Sequence, residues 1–255
     1  MKISLFLIGD EIISGEREDI NAHYLMKNLG ECGLRLSEIL ITGDDKEEIG
    51  RGIKFLLSSS SDIVITSGGL GLTPDDITIE AIAEALDRKI VYDETAKKLV
   101  RKSLKRLGRN IPEETEFEFY KKIEGATLME NFVGVAPIEK LVIDNKTVFI
   151  LPGVPKEFRE AIDRYIFPVI AQLKSVNNKQ TVEFLINARE SEVVNILKNV
   201  EKNFSVKTAS YPPVLDNERY LKIKLTGANE DVQKAKVFFE KALTKKGIRI
   251  EKEIS

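Results

Sequence analysis

The sequence predicts an α/β fold: a three-layer, doubly wound, mainly parallel sheet with a second, smaller α+β domain. Three observations carry the prediction. A chain of 255 residues suits two domains. Short β-branched runs alternate with segments of helical period over the first two thirds. Beyond residue 180 the strands crowd together in the order strand, helix, strand, strand, helix. Strands separated by helices need crossover connections, and crossovers leave a parallel sheet covered on both faces.

The elements follow in order. Ile3–Ile8 reads as a buried strand, and Ile20, Tyr24, Leu25 and Leu29 then recur at helical spacing. Leu36–Thr42 is the next strand, followed by Ile49, Ile53, Leu56 and Leu57 on one helical face. Asp62–Thr66 is a short strand; Ile77, Ala81, Ile82 and Leu86 mark a helix, and Ala96, Leu99, Val100, Leu104 and Leu107 another. Leu141–Ile143 and Thr147–Leu151 flank Asp144-Asn145-Lys146 in the pattern of a hairpin. After Pro152-Gly153-Val154-Pro155 a long helix turns Phe158, Ile162, Tyr165, Ile166, Val169 and Leu173 inward, and Pro168 is expected to kink it or end it early. Residues 174–180 read as a linker between domains of 1–173 and 181–255. The second domain runs Thr181–Ile186 (strand), Glu190–Val200 (helix), Ser205–Ser210 and Tyr220–Thr226 (strands) and Asp231–Leu243 (helix).

Composition narrows the chemistry. Hydrophobic residues make up 42% and charged residues 31%, which excludes wholesale disorder. No run of eighteen apolar residues occurs, so neither a membrane span nor a secretory signal is expected. The lone Cys32 cannot form an internal disulfide, which fits a reducing cytoplasm. With His23 as the only histidine, a His/Cys metal cluster is excluded, and any Ser-His-Asp or Cys-His system would have to run through it. Carboxylates, hydroxyls, lysines, backbone amides and a hard cation remain. The net charge of -2 divides into -6 over residues 1–174 and +4 over 175–255. A nucleic-acid binder would be more lopsided, and no nucleic-acid partner is expected.

The most informative segment is Thr66-Ser67-Gly68-Gly69-Leu70-Gly71-Leu72-Thr73-Pro74-Asp75-Asp76, which leaves a strand and opens a helix. Its glycines let the backbone turn sharply and bring N–H groups close to an anion, beside a helix N-terminus. The spacing fits neither a P-loop nor a dinucleotide fingerprint. A glycine-rich turn with Asp75 or Asp76 capping the helix would explain the pattern without a ligand. Gly9-Asp10-Glu11 and Gly43-Asp44-Asp45 follow the first two strands, so a parallel sheet brings Asp10, Glu11, Asp44 and Asp76 towards one edge. Two unit charges 4 Å apart interact by about 4 kcal/mol at an effective dielectric of 20. A divalent cation held by the carboxylates would turn their repulsion of a phosphate into attraction.

Five stretches together resemble the CinA (competence/damage-inducible protein) family. They are Ile8–Gly15 with Asp19–Ala22, Gly43-Asp44, Gly68–Thr78, Asn131–Pro137 and Leu151–Glu157, in order through most of residues 1–170. The resemblance implies a molybdopterin-binding, MoaB/MogA-like domain that assembles as a homo-oligomer. It implies metal-dependent hydrolysis (Mg or Co) of ADP-ribose, a small nucleotide substrate, to AMP and ribose 5-phosphate. The alternative it implies is molybdopterin binding or adenylyl transfer in molybdenum cofactor biosynthesis. On the hydrolytic reading Asp44 and Asp76 are catalytic and Asp10, Asp44 and Asp76 hold the metal. Ser67, Gly68, Gly69, Gly71, Thr78, Gly9, Glu11, Ser14, Asn21, Gly134, Pro152 and Gly153 would then bind the phosphate or nucleotide. Ile20 and Val135 stand where many relatives carry Thr. The second domain resembles the family's KH-like middle module but lacks a Gly-x-x-Gly loop. The nicotinamide-mononucleotide deamidase domain of full-length relatives is not expected in a chain ending at Ser255.

Overall fold

The computed structural model describes residues 1–173, 179–213 and 219–254. Two compact units divide at Lys174/Ser175. Residues 174–178 of the expected linker lie outside the described residues, and Lys179 and Gln180 already belong to a strand. Among the described residues no helix is long and apolar enough to cross a membrane.

The first unit is built on a mixed, mostly parallel six-stranded sheet. β1 (Ile3–Ile8) pairs in parallel with β2 (Leu36–Thr42) on one side and β3 (Ile63–Ser67) on the other, and β3 pairs in parallel with β8 (Lys146–Leu151). β7 (Ile138–Ile143) runs antiparallel to β8, and β6 (Thr127–Met129) antiparallel to β7, giving the order β2-β1-β3-β8-β7-β6. Every residue of β1 is buried, as a central strand with two covered faces requires. The period of two sorts its side chains between two cores. Ile3, Leu5 and Leu7 pack with Leu25 and Leu29 of α2 (Asn21–Glu31) and with Phe158 of α7 (Pro155–Ala161). Phe6 and Ile8 pack with Ile49 and Ile53 of α3 (Lys46–Ser58) and Ile82 of α4 (Thr78–Ala85). A one-turn helix, α1 (Asp10–Ile13), directly follows β1.

Local chemistry sets the helix ends. Asp19 accepts from Asn21 N and Ala22 N at the start of α2 (3.2 and 2.8 Å), and Asp45 caps α3 by accepting from Glu48 N at 2.9 Å. Asp93 caps α5 (Glu94–Leu107), which ends at Gly108 in the left-handed region, φ 62°.

Several elements differ from expectation. β4 (Ile90–Tyr92) and β5 (Lys121–Ile123) form a separate antiparallel pair, and α6 (Glu113–Glu118) lies between α5 and β5. Three-residue strands such as β4, β5 and β6 are too short to show a period. Pro168 does not end its helix. A π turn over Ile162–Ile166 widens the spiral just before α8 (Phe167–Leu173). Proline offers no N–H to the carbonyl four residues back, and the wider turn absorbs the missing bond and the ring's bulk.

The second unit is βαββαβ: β9 (Lys179–Ile186), α9 (Glu190–Asn203), β10 (Val206–Tyr211), β11 (Leu221–Ala228), α10 (Asn229–Lys245) and β12 (Ile250–Ile254). Its sheet is antiparallel with the order β10-β11-β9-β12. Phe184 and Phe239 meet in its core with ring centroids 5.1 Å apart. β12 extends the five elements expected. It reads Ile-Glu-Lys-Glu-Ile, an edge strand whose charges hide it from a hydrophobic-run search.

Candidate functional site

The carboxyl ends of β1, β3 and β8 lie side by side, and the loops leaving them frame a cleft of about 560 Å³. That volume suits a small ligand. At its centre is the glycine loop after β3. Gly68 has φ 121° and Gly69 φ 67°, and a Cβ on Gly68 would overlap the Ile8 carbonyl oxygen. Only glycine meets both conditions, so the loop sits tight against the end of β1. Behind it, Thr78 Oγ1 donates to the Gly68 carbonyl (3.0 Å) and Thr78 N to the Gly69 carbonyl (3.2 Å).

Asn21 joins the three loops. It is 4% exposed, and its Nδ2 donates to Ser67 Oγ at 3.0 Å and to the Gly153 carbonyl at 2.8 Å, while its Oδ1 is buried without a partner. Asp10 and Asp44 form a reciprocal clip between the ends of β1 and β2. Asp10 N donates to Asp44 Oδ2 at 2.8 Å and Asp44 N to Asp10 Oδ1 at 3.1 Å. Burial above all raises the Asp44 carboxyl above its ordinary range, aided by the charges of Asp10, Glu11 and Asp75 and opposed by the Asp10 N–H. Asp76 closes its own turn: Oδ2 accepts from Thr73 N at 2.9 Å and from Thr73 Oγ1 at 2.5 Å. It does not cap α4, whose N-cap position is Ile77 with no side-chain bond.

Gly9, Glu11, Asn21, Asp44, Ser67, Gly68, Gly69, Gly71, Asp76, Pro152 and Gly153 line the cleft. Asp10, Ser14, Thr78 and Gly134 do not. Ser14 ends α1 and Thr78 is wholly buried behind the loop. The expected Asp10–Asp44–Asp76 metal set does not assemble: among the described residues no three His, Cys, Asp or Glu side chains gather to hold an ion. Each of the three already commits an oxygen to a nearby backbone N–H.

The cleft also holds residues that sequence reasoning passed over. Arg17 and Arg109 bring positive charge to an otherwise acidic lining, and neither forms an ion pair among the described residues. Glu157 lines the wall. Burial raises its carboxyl, against the pull of the Asn131 amide and the Arg109 charge. It stands in the quoted stretch Leu151–Glu157, but nothing in its spacing marks a role. A smaller cavity of about 280 Å³ shares Gly69, Gly71 and Phe119 with the cleft and has Glu139 in its wall. Burial pushes the Glu139 carboxyl up to about 8.

The family described as "Probable molybdopterin binding domain" matches residues 4–172. A crystal structure of CinA from Thermoplasma acidophilum superposes with a TM-score of 0.59 at 30% identity, covering 66% of this chain and 97% of that one. The chain belongs to the CinA family of molybdopterin-binding domain proteins. Among CinA-family relatives, the "CinA-like protein" of Pseudothermotoga lettingae is 32% identical over 85% of this chain and 52% of its own length. Protein PF0476 of Pyrococcus furiosus is 32% identical over 95% of this chain and 96% of its own. Residues 180–252 match the family described as "FAD synthase, middle domain". These matches correct the expected enzyme class. A CinA-family chain matched to a molybdopterin-binding domain gives no support to a metal-dependent hydrolase of ADP-ribose, and that reading is set aside.

Proposed function

We propose that the cleft binds a molybdopterin-type ligand, a pterin ring system carrying a terminal phosphate. The observation that carries this reading is the glycine loop, strained into positive φ at the junction of three strand ends and opening on a cleft of about 560 Å³. Backbone N–H groups of Gly69 and Gly71 suit the phosphate, whereas Gly68 N already donates to the Leu151 carbonyl at 3.1 Å; Arg17 and Arg109 offset the acidic lining of the cleft. The family match to a molybdopterin-binding domain supports the choice of ring.

The test is ligand-dependent stabilisation of the whole chain. A ligand that binds only the native state at 100 times its Kd stabilises by about 2.7 kcal/mol, so anaerobic molybdopterin raises the melting temperature in a concentration-dependent way. A melting temperature unmoved by saturating molybdopterin refutes the reading.

A further inference from the structure

Glu157 is a cleft carboxylate with one oxygen fastened and the other open. Its Oε2 accepts from Asn131 Nδ2 at 2.6 Å. Asn131 is 1% exposed and fully used: Nδ2 also donates to the Ala136 carbonyl at 3.1 Å, while Oδ1 accepts from Val133 N at 3.2 Å and Gly134 N at 2.8 Å. The carboxylate lies so close over Gly134 that a Cβ there would overlap Oε2. Glu157 Oε1, by contrast, accepts no hydrogen bond among the described residues. Gly134 thus supplies the space and Asn131 the orientation.

A carboxylate accepts N–H groups and repels phosphate, so Glu157 suits a different part of the ligand from the backbone N–H groups of the glycine loop. Phe119, Val135 and Ala136 line the cleft as well and offer apolar surface to a flat ring. Resting on the pterin-binding reading above, we propose that Glu157 is a specificity-determining residue that accepts a hydrogen bond from the amino-bearing pyrimidine edge of the ligand's ring. Asn131 and Gly134 are its positioning residues.

The experiment titrates the full chain with two fluorescent probes, pterin and lumazine. Lumazine replaces the ring's amino group with a carbonyl and so presents an acceptor where pterin presents a donor. Wild-type protein is expected to favour pterin by about tenfold or more, the worth of one hydrogen bond to a charged group. Glu157→Gln, whose amide can turn either a donor or an acceptor to the ring, and Asn131→Ala, which frees the carboxylate, should bring that ratio close to one. Inorganic phosphate, titrated separately, should bind both variants within about twofold of wild type, a result that also shows each variant folded. An unchanged pterin-to-lumazine ratio in Glu157→Gln overturns the assignment while leaving the pterin reading in place. If wild type binds phosphate but neither ring, the pterin reading fails and the assignment falls with it.

Discussion

Replacing Glu139 by Gln isolates the energetic cost of one buried carboxyl. Glu139 is 1% exposed on β7; its Oε2 accepts from Ile123 N at 3.1 Å and its Oε1 is buried without a partner. Burial dominates its titration and pushes it from an ordinary 4.5 up to about 8, with the Ile123 N–H and the Lys122 charge opposing. The sign follows from proton counting. Below pH 4.5 the group is protonated in both states and costs nothing. Between about 4.5 and 8 the unfolded chain releases the proton and the folded chain keeps it, so folding becomes less favourable as pH rises. Each unit of displacement is worth about 1.36 kcal/mol, so the full cost above pH 8 is on the order of 4 to 5 kcal/mol, an upper figure for a site that can relax. Glutamine keeps the acceptor for Ile123 N and cannot ionise. Urea unfolding followed by far-ultraviolet circular dichroism from pH 4 to pH 9 reads the difference between Glu139→Gln and wild type, in which other titrating groups cancel. The difference should grow in the variant's favour between about pH 5 and pH 8 and level off above. A difference that stays flat across that window refutes the account of Glu139 as a carboxyl kept protonated by burial.

Two further perturbations probe the loops. Gly68→Ala places a methyl group into the Ile8 carbonyl at φ 121°; it should cost about 1–3 kcal/mol in thermal unfolding and weaken phosphate binding, and an unchanged melting temperature would remove the claim that the loop is held by steric fit. Asp44→Asn retains an acceptor for Asp10 N and removes a charge that burial and neighbouring carboxylates disfavour. It should raise the melting temperature at neutral pH and narrow its gain at low pH, where Asp44 is protonated in both states; destabilisation at pH 7 would contradict that electrostatic reading.

Much of the fold is legible in the sequence because its signals are local. The buried run Ile3–Ile8, the alternating faces of the strands and the apolar stripes of α3 and α5 are properties of neighbouring residues. Elements without such signals escaped: β12 is mostly charged, β4, β5 and β6 are three residues long, and the π turn before Pro168 depends on how the helix packs. Parallel pairing implies that the loops after β1, β2 and β3 share an edge, which points to Asp10, Glu11, Asp44 and Asp76; Glu11, Asp44 and Asp76 line the cleft and Asp10 does not.

What the sequence determined by itself is where the chain turns sharply beside an acidic sheet edge, since three glycines in four positions after a strand admit few backbone paths. What only the tertiary structure decided is what each side chain there is committed to. Asp10 and Asp44 are 34 residues apart and spend their oxygens on each other's backbone; Thr78 turns away from the cleft to hold the loop from behind. Asn131 reaches 26 residues along the chain to hold Glu157, and Arg109 lines the cleft from the segment after α5. Local sequence restricts backbone conformation, but the partner of a hydrogen bond or a charge is set by which distant segments the packed cores bring within about 3 Å, and no spacing along the chain encodes that distance.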